Sequence, residues 1–163
     1  MKEKEFRMFF TEYPDTADLP EEERMLVEAS MDAAGKAYAP YSHFNVGAAI
    51  LLNDGTVVKG ANVENAAFPS GNCAERSALS YAVSNYPDLH PVAIAITAFT
   101  EGDISAQPVP PCGNCRQMLL EHEVRQEKPI KVILAGGKKI LVIKDCASLM
   151  PLHFTRDNLN PRL

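Results

Sequence analysis

The sequence has no apolar run that approaches the roughly 20 residues needed to cross a bilayer. Its start, MKEKEFRMFF, carries charges of both signs and lacks the apolar centre of a secretory signal. We therefore expect a cytoplasmic protein with no membrane partner. Thiols stay reduced in that compartment, so the four cysteines of the chain are expected to act as thiols or thiolates rather than as disulfides.

Positive charge is also in short supply. The chain has 16 Lys and Arg residues against 21 Asp and Glu residues, which gives a net charge of −5 at pH 7. Because nucleic-acid binding depends mainly on clustered Lys and Arg, this balance argues against a nucleic-acid partner.

The sequence shows no internal repeat and no low-complexity linker, and its 12 prolines are spread along the chain. A chain of 163 residues with 46% hydrophobic residues is long enough for one domain with a substantial core. We expect a single domain over residues 20–163. An N-terminal extension over residues 1–19 precedes it, and the sequence does not indicate what that extension does.

The pattern of apolar residues predicts an α/β fold. Helices are predicted over residues 20–38, 73–86 and 112–124. Five strands are predicted: a hairpin around the turn NDG, a buried strand in VAIAITAF, and two strands in IKVILA and KILVIK. Only three residues separate the last two strands, so we expect them to be antiparallel. These elements predict a three-layer α/β/α sandwich with helices on both faces of a mixed five-stranded sheet.

Three of the cysteines fall at the starts of predicted helices. Cys73 opens the second helix, and Cys112 and Cys115 lie three residues apart on the first turn of the third. Helix N-termini carry partial positive charge, which favours thiolates. Three thiolates at one point suggest Zn²⁺ with one coordination position left open, as in catalytic zinc sites. Glu75, at the same helix end as Cys73, is placed to take a proton from a water at that position.

Other interpretations of the cysteines stay open at this point. A lone CxxC is often half of a structural zinc site or a redox pair. A redox pair would leave Cys73 and Glu75 unexplained. A closed four-cysteine site would need Cys146, which stands alone in the sequence. A free cysteine of that kind is more often buried like a small apolar residue.

The motif CAE, followed further along the chain by PCGNC, resembles the zinc-dependent nucleoside and nucleobase deaminases. With Cys rather than His as the first ligand, the sequence is similar to the cytidine deaminases of the small homotetrameric kind. The similarity runs from AYAPYSHFNVGAAI through GANVENAAFPSGNCAERSAL and PPCGNCRQML to SLMPLHF. It implies the cytidine deaminase fold and one Zn²⁺ per chain, held by Cys73, Cys112 and Cys115. It also implies a homotetramer.

The resemblance further implies which residues bind the substrate. Asn62 and Glu64 correspond to a pair that binds the ribose 3′-hydroxyl. Phe44 would lie beside the pyrimidine ring, and Phe154 would reach a neighbouring subunit's site and stack on the base. Phe68 stands in the substrate-binding segment at a position where the family often has Tyr.

Two more residues are implied to support the metal site. Arg76 would lie beside the zinc cysteines and offset the charge of three thiolates, and Gln117 would brace the second zinc helix. Pro110 stands where the family often has Ser, so only its backbone carbonyl is available to a substrate.

The reaction implied by the resemblance is hydrolytic deamination of the pyrimidine nucleosides cytidine and deoxycytidine, with release of ammonia, in pyrimidine salvage. A zinc-bound water activated by Glu75 would attack C4, and Glu75 would pass protons to ring N3 and to the leaving amine. Two alternatives stay open. One is the same chemistry on an aminonucleoside antibiotic of the blasticidin type, and the other is a non-catalytic structural-zinc or binding protein.

Overall fold

The computed structural model describes residues 1–159. The helices are α1 (Glu21–Ala34), α2 (Ala74–Asn85), α3 (Gly113–Gln126) and the short α4 (Arg156–Leu159). The strands are β1 (Phe10–Tyr13), β2 (Phe44–Leu52), β3 (Val57–Ala61), β4 (Pro91–Thr100), β5 (Asp103–Ile104), β6 (Lys131–Ala135) and β7 (Ile140–Ile143). Within this part of the chain, no helix combines the length and the apolar composition of a membrane span.

All of the strands belong to one mixed sheet. Its order is β1-β7-β6-β4-β2-β3, and β5 pairs with the end of β4. The pair β4–β6 is parallel, while β6 and β7 are antiparallel, as the short link between them predicts. The α/β class is therefore confirmed, but the predicted count of five strands is wrong, because the sheet has seven strands within residues 1–159.

The two strands that were not predicted are short and carry little sequence signal. Strand β5 pairs with β4 through a two-residue turn in which both Glu101 and Gly102 have positive φ, at 55° and 92°. This is the backbone geometry of a tight hairpin turn, hidden in a stretch that reads as a Pro-rich loop. Strand β1 forms through its contacts with β7 rather than from a pattern of its own. Tyr13 pairs with Ile140, and Glu12 forms an ion pair with Lys139 at 3.0 Å.

The core lies on both faces of the sheet, which gives the predicted three layers. On one face α1 buries Leu26 and Val27 against strand residues such as Ile133. On the other face, α2 and α3 bury Leu79 and Leu119 against a second set of strand residues. Consecutive residues of the central strands, such as Ile94 and Ala95, therefore contribute to opposite cores.

Helix α1 ends four residues before the predicted boundary. Gly35 caps it, and Lys36 and Ala37 donate turn-type hydrogen bonds back to α1. The next residue, Tyr38, donates its N–H to the carbonyl of Asn62 at 3.0 Å. The chain thus leaves the helix to join the end of β3, beside the predicted substrate-binding pair.

Two glycines let the helices lie directly on the sheet. A Cβ atom at Gly47 would lie 2.0 Å from the carbonyl oxygen of Ser30 in α1. A Cβ atom at Gly60 would lie 2.4 Å from the backbone nitrogen of Ala78 in α2. Any side chain at Gly60 would push α2 away from β3, and α2 is the helix that follows Cys73.

Helix α3 holds the segment that follows the last strand. The buried carboxylate of Glu123 accepts hydrogen bonds from the N–H groups of Ile130 at 2.8 Å, Cys146 at 2.7 Å and Ala147 at 3.0 Å. These three N–H groups satisfy the carboxylate, whose burial without hydrogen bonds would cost free energy. Glu123 therefore connects the C-terminal end of α3 to the segment before β6 and to the segment after β7.

Candidate active site

The starts of α2 and α3 bring three cysteines together. Cys73 and Cys112 are the N-cap residues of the two helices, and Cys115 lies on the first turn of α3. Their sulfur atoms all lie within 4.8 Å of one another. This is the arrangement expected from the sequence. It brings Cys73 next to two cysteines that lie at least 39 residues further along the chain.

The electrostatics of this cluster call for a cation. Burial acts to raise the pKa of Cys112, but N–H groups of Cys115 and Asn114 at the start of α3 outweigh it and lower the pKa. Burial raises the pKa of Cys73 and, together with the negative charge of Glu75, the pKa of Cys115. Three neighbouring thiolates are therefore unfavourable without a positive ion. A Zn²⁺ ion fits this donor set, because it binds thiolates tetrahedrally and would keep one position open.

Cys146 is not part of the cluster. It is fully buried in the core beneath α2 and α3, where its thiol lies 3.5 Å from the carbonyl oxygen of Ile130. The structure therefore does not form the closed four-cysteine site that was an open alternative. Cys146 packs as a small apolar residue, with a pKa that burial raises.

Glu75 lies on the first turn of α2, beside the three thiols, and is only 5% exposed. Burial raises the pKa of its carboxyl group, although a hydrogen bond involving Cys115 acts in the opposite direction. A carboxyl group in such a setting exchanges a proton more readily near neutral pH than an exposed one does.

A cavity of about 510 Å³ opens onto Glu75 and two of the cysteines. Its apolar wall includes Phe44, and its polar lining includes Asn62 and Glu64. Phe68, which is 78% exposed, lies at the rim with its ring edge-on to Tyr41 at 6.2 Å. Four of the five predicted substrate-binding residues thus line one cavity.

The fifth, Phe154, does not line the cavity of its own chain. Its side chain is 55% exposed. Its backbone carbonyl accepts a hydrogen bond from the Gln117 side chain at 2.8 Å. Gln117, which was predicted to brace the second zinc helix, lies on α3. Its side chain also holds the segment that carries Phe154.

The side chain of Asn62 is tied to β2. Its carbonyl oxygen accepts the N–H of Val46 at 2.8 Å, and its amide donates to the carbonyl of Phe44 at 2.9 Å. An amide group has one donor and one acceptor position beyond these two bonds. Asn62 thus fixes the strand that carries Phe44 and keeps polar capacity for a ligand.

Glu64 is held by the loop between α1 and β2. It accepts hydrogen bonds from the N–H groups of Tyr41 at 2.9 Å and Ser42 at 3.2 Å, and from the Ser42 hydroxyl. These bonds, that of the Ser42 hydroxyl foremost, lower the pKa of Glu64. The carboxylate is therefore ionised and oriented before a ligand arrives.

Sequence reasoning missed Ser42. Its hydroxyl donates to Glu64 and accepts the N–H of Phe44 at 3.1 Å, so it links two residues of the cavity wall. Ser42 and Glu64 are 22 residues apart in the sequence. The motif PYS before a strand is the one available signal, and by itself it indicates a turn rather than a contact with Glu64.

Arg76 follows Glu75 on α2 and is partly buried. Its guanidinium group forms no hydrogen bond or ion pair with any other residue in the described range 1–159. The neighbouring helix offers a contrast, because Arg116 donates to the carbonyl oxygens of Pro111 at 2.8 Å and Leu149 at 3.0 Å. Arg116 was not singled out from the sequence, although it follows Cys115 directly.

The family model for the zinc-binding region of cytidine and deoxycytidylate deaminases matches residues 20–128. The chain belongs to the cytidine and deoxycytidylate deaminase family. This match spans the cysteine cluster, Glu75, Asn62 and Glu64.

Individual members of the family are similar over most of the chain. A cytidine deaminase of Halalkalibacterium halodurans is 41% identical over 138 residues, which cover 84% of this chain and 97% of the relative. A cytidine deaminase of Mycobacterium tuberculosis is 43% identical over 140 residues, covering 83% and 91% of the two chains. The crystal structure of cytidine deaminase from Burkholderia pseudomallei aligns with a TM-score of 0.68 at 39% identity, over 80% of this chain and 97% of that one.

The composition of the metal site can be tested on the purified deaminase-family protein. Cys146→Ala should retain its zinc, because the Cys146 sulfur lies outside the cluster, whereas Cys73→Ala should lose most of it. Each variant removes one thiol, so the pair is matched, and metal analysis after gel filtration measures the result. A loss of zinc in Cys146→Ala as large as that in Cys73→Ala would mean that Cys146 is a ligand.

Proposed function

We propose that this protein hydrolyses cytidine and deoxycytidine to uridine and deoxyuridine, with release of ammonia. The observation that carries the proposal is the buried carboxyl group of Glu75 beside three convergent thiols, in a cavity that Asn62 and Glu64 also line. Membership of the cytidine and deoxycytidylate deaminase family supports it. One cavity would thus hold both the reacting group and the residues that recognise a hydroxyl group.

Cys73, Cys112 and Cys115 would hold the zinc ion. Zinc at a three-thiolate site with an open position would acidify water and so supply a nucleophile near neutral pH. Three thiolates leave a formal charge of −1, which opposes that effect. The N-termini of α2 and α3 offset the charge, and Arg76 would add to them from the first turn of α2.

Glu75 would move the protons. It takes a proton from the attacking water and delivers it to ring N3, which makes C4 more electrophilic. After attack on C4 it takes the proton of the new C4 hydroxyl and passes it to the exocyclic amine, which leaves as ammonia while the C4 carbonyl forms. Its burial suits this role, because a raised pKa lets one carboxyl group both accept and donate near neutral pH.

The ring would lie along the apolar wall of the cavity. Phe44 lines this wall, and Asn62 and Ser42 each bond to its backbone. The ribose 3′-hydroxyl would reach Glu64 and Asn62, which together offer an acceptor and a donor. Because both cytidine and deoxycytidine carry a 3′-hydroxyl, this contact accepts either nucleoside.

We also propose the setting in which the reaction takes place. Removal of the C4 amine from a free nucleoside is a step of pyrimidine salvage. Cysteines that converge as metal ligands rather than as disulfides are suited to a reducing compartment, which supports a cytoplasmic protein.

The assembly is proposed to be a homotetramer in which sites are completed between subunits. Phe154 is an exposed aromatic residue that does not line its own cavity, and its backbone is anchored to α3 through Gln117. An aromatic ring held out on an anchored segment is suited to enter the site of a neighbour and stack on the base.

The general-base role predicts the effect of Glu75→Gln. The variant should keep zinc and fold but lose roughly 10³-fold or more in kcat, because Gln preserves the shape and cannot carry a proton. The fall in absorbance as cytidine becomes uridine measures it. Glu22→Gln, the same change at an exposed position on α1, is the control and should be fully active. A Glu75→Gln variant with a tenth of the normal kcat would contradict the role.

A panel of substrates tests the reaction class in the parent protein. Cytidine and deoxycytidine should both be turned over. Turnover confined to a blasticidin-type aminonucleoside would assign the same chemistry to another substrate. Zinc content without turnover of any of them would favour a structural zinc protein.

Recognition of the ribose predicts a role for Ser42 through Glu64. Ser42→Ala should raise the KM for cytidine roughly tenfold, because a hydrogen bond to a charged group is lost, and should leave kcat nearly unchanged. The same variant should treat 3′-deoxycytidine as the parent does. Ser80→Ala, which removes an exposed hydroxyl from α2, is the matched control. Equal use of cytidine and 3′-deoxycytidine by the parent would overturn the ribose assignment.

Sharing of sites between subunits predicts complementation. Phe154→Ala should weaken cytidine binding several-fold, since an aromatic contact contributes about 1 kcal/mol beyond its buried area. Leu152→Ala, in the same segment and 98% exposed, is the control. Mixed with Glu75→Gln chains under subunit exchange, Phe154→Ala chains should give more activity than either variant gives by itself. Proven exchange without recovery would put Phe154 in the site of its own chain.

A further inference from the structure

Both helices of the metal cluster begin at a cysteine that does not cap its helix. Cys73 and Cys112 occupy the N-cap positions of α2 and α3, and neither forms a side-chain hydrogen bond that caps the first turn. N-cap residues are commonly Ser, Thr, Asp or Asn, whose side-chain oxygen accepts a hydrogen bond from that turn. A sulfur atom that binds zinc is not free for this task. Another contact must therefore fix the direction in which the chain enters each helix.

In α2 this contact joins Asn72 to Ser77. Asn72 precedes the N-cap, and its side-chain amide donates to the Ser77 hydroxyl oxygen at 3.0 Å. Ser77 is the fourth residue of α2, and its N–H donates to the carbonyl of Cys73 at 2.9 Å. In a hydrophobic staple, these same two positions of a helix pack together and fix the entry angle of the chain. The Asn72–Ser77 hydrogen bond, which we call the α2 staple, is a polar contact at those positions.

In α3 a hydrogen bond joins the equivalent positions. Pro111 precedes the N-cap, Arg116 is the fourth residue of the helix, and Arg116 Nε donates to the Pro111 carbonyl oxygen at 2.8 Å. This contact is the α3 staple. The same guanidinium group donates to the carbonyl of Leu149 at 3.0 Å, which anchors it to a second segment. The residue types differ between the two staples, so what the two helices share is the position of the contact around an N-cap cysteine.

The backbone of Asn72 is held independently of its side chain. Its N–H donates to the carbonyl of Val63, and its carbonyl accepts the N–H of Val63, both at 2.9 Å. Val63 lies between Asn62 and Glu64, so the α2 staple is anchored to the polar lining of the cavity. The amide oxygen of Asn72 is buried and has no hydrogen-bond partner within residues 1–159. Because an unpaired buried acceptor costs free energy, the stability of the fold alone does not account for an amide at this position.

We propose that the α2 and α3 staples position the zinc ligands Cys73 and Cys112. Each staple fixes the angle at which the chain enters its helix, and that angle sets the direction of the N-cap side chain. Zinc holds thiolates in tetrahedral geometry, so a cysteine whose direction is variable binds it more weakly. The residues of the staples are positioning residues, because the cluster of sulfur atoms includes none of them.

Removal of the α2 staple from the full-length protein tests this role. Ser77→Ala and Asn72→Ala should each lower zinc affinity roughly tenfold, as expected for residues that orient metal ligands. Because both variants remove the same hydrogen bond, the double variant should bind zinc about as tightly as either single variant. Ser77→Thr keeps the hydroxyl group and should bind zinc as the parent does. Competition with a chromophoric chelator measures the affinity.

Two matched variants on the same helix are the controls. Asn85→Ala removes an exposed amide that donates to the carbonyl of Tyr81 at 3.0 Å, and Ser80→Ala removes an exposed hydroxyl group. Both should keep the zinc affinity of the parent. Equal losses in these controls would mean that any weakening of α2 lowers zinc affinity, which would overturn the positioning role. Parent-like affinity in Asn72→Ala and Ser77→Ala, or a double variant whose loss is the product of the single losses, would overturn it as well.

The α3 staple is tested with Arg116→Met, which roughly keeps the length of the side chain and removes its donors. Zinc affinity should fall at least tenfold, because the bond to Leu149 is lost too. Arg125→Met, the same change at an exposed position of α3, is the control and should bind zinc as the parent does. Equal affinity in the two variants would overturn the α3 staple. The inference rests on the zinc site of the proposed function, but zinc is measured directly, so a parent that binds zinc without deaminating cytidine would contradict the proposed function alone.

Discussion

Two helix N-termini meet beside one end of the sheet, and the rest of the candidate site depends on that meeting. Helix α3 lies in the connection between the parallel strands β4 and β6, and α2 leads from β3 into β4. Ligand sites of α/β sheets commonly lie at such connections. The N-caps Cys73 and Cys112 are fixed by how closely each helix lies on the sheet. Gly60 sets that distance for α2, since even a methyl group there would overlap the backbone of Ala78.

Helix α3 links the metal cluster to the C-terminal segment. Its first turn carries Cys115, its next residues Arg116 and Gln117 hold the carbonyls of Leu149 and Phe154, and Glu123 near its end holds the turn after β7. A shift of α3 would therefore move a zinc ligand and the Phe154 segment together. In the proposed homotetramer, this rigid connection would keep the geometry of a site shared between subunits.

The polar lining formed by Asn62 and Glu64 is organised before any ligand binds. Three hydrogen bonds hold the Glu64 carboxylate, and two hold the Asn62 amide. Groups fixed in this way need no reordering when a hydroxyl arrives, so less of the binding energy is spent on ordering them. The Asn62 amide and the Ser42 hydroxyl also bond to the backbone of Phe44, which ties the position of the apolar wall to that of Asn62 and Glu64.

The sequence by itself determined the features that depend on local spacing. Cys112 and Cys115 share a helical turn because they are three residues apart, Cys73 and Glu75 open a second helix, and a three-residue link forces β6 and β7 to be antiparallel. The tertiary structure alone decided what depends on contacts between distant segments. It added β1 and β5 to the sheet, linked Ser42 to Glu64, and buried Cys146 away from the metal cluster. Such contacts join residues 20 or more positions apart or lie in strands of two to four residues, where no periodic pattern can develop.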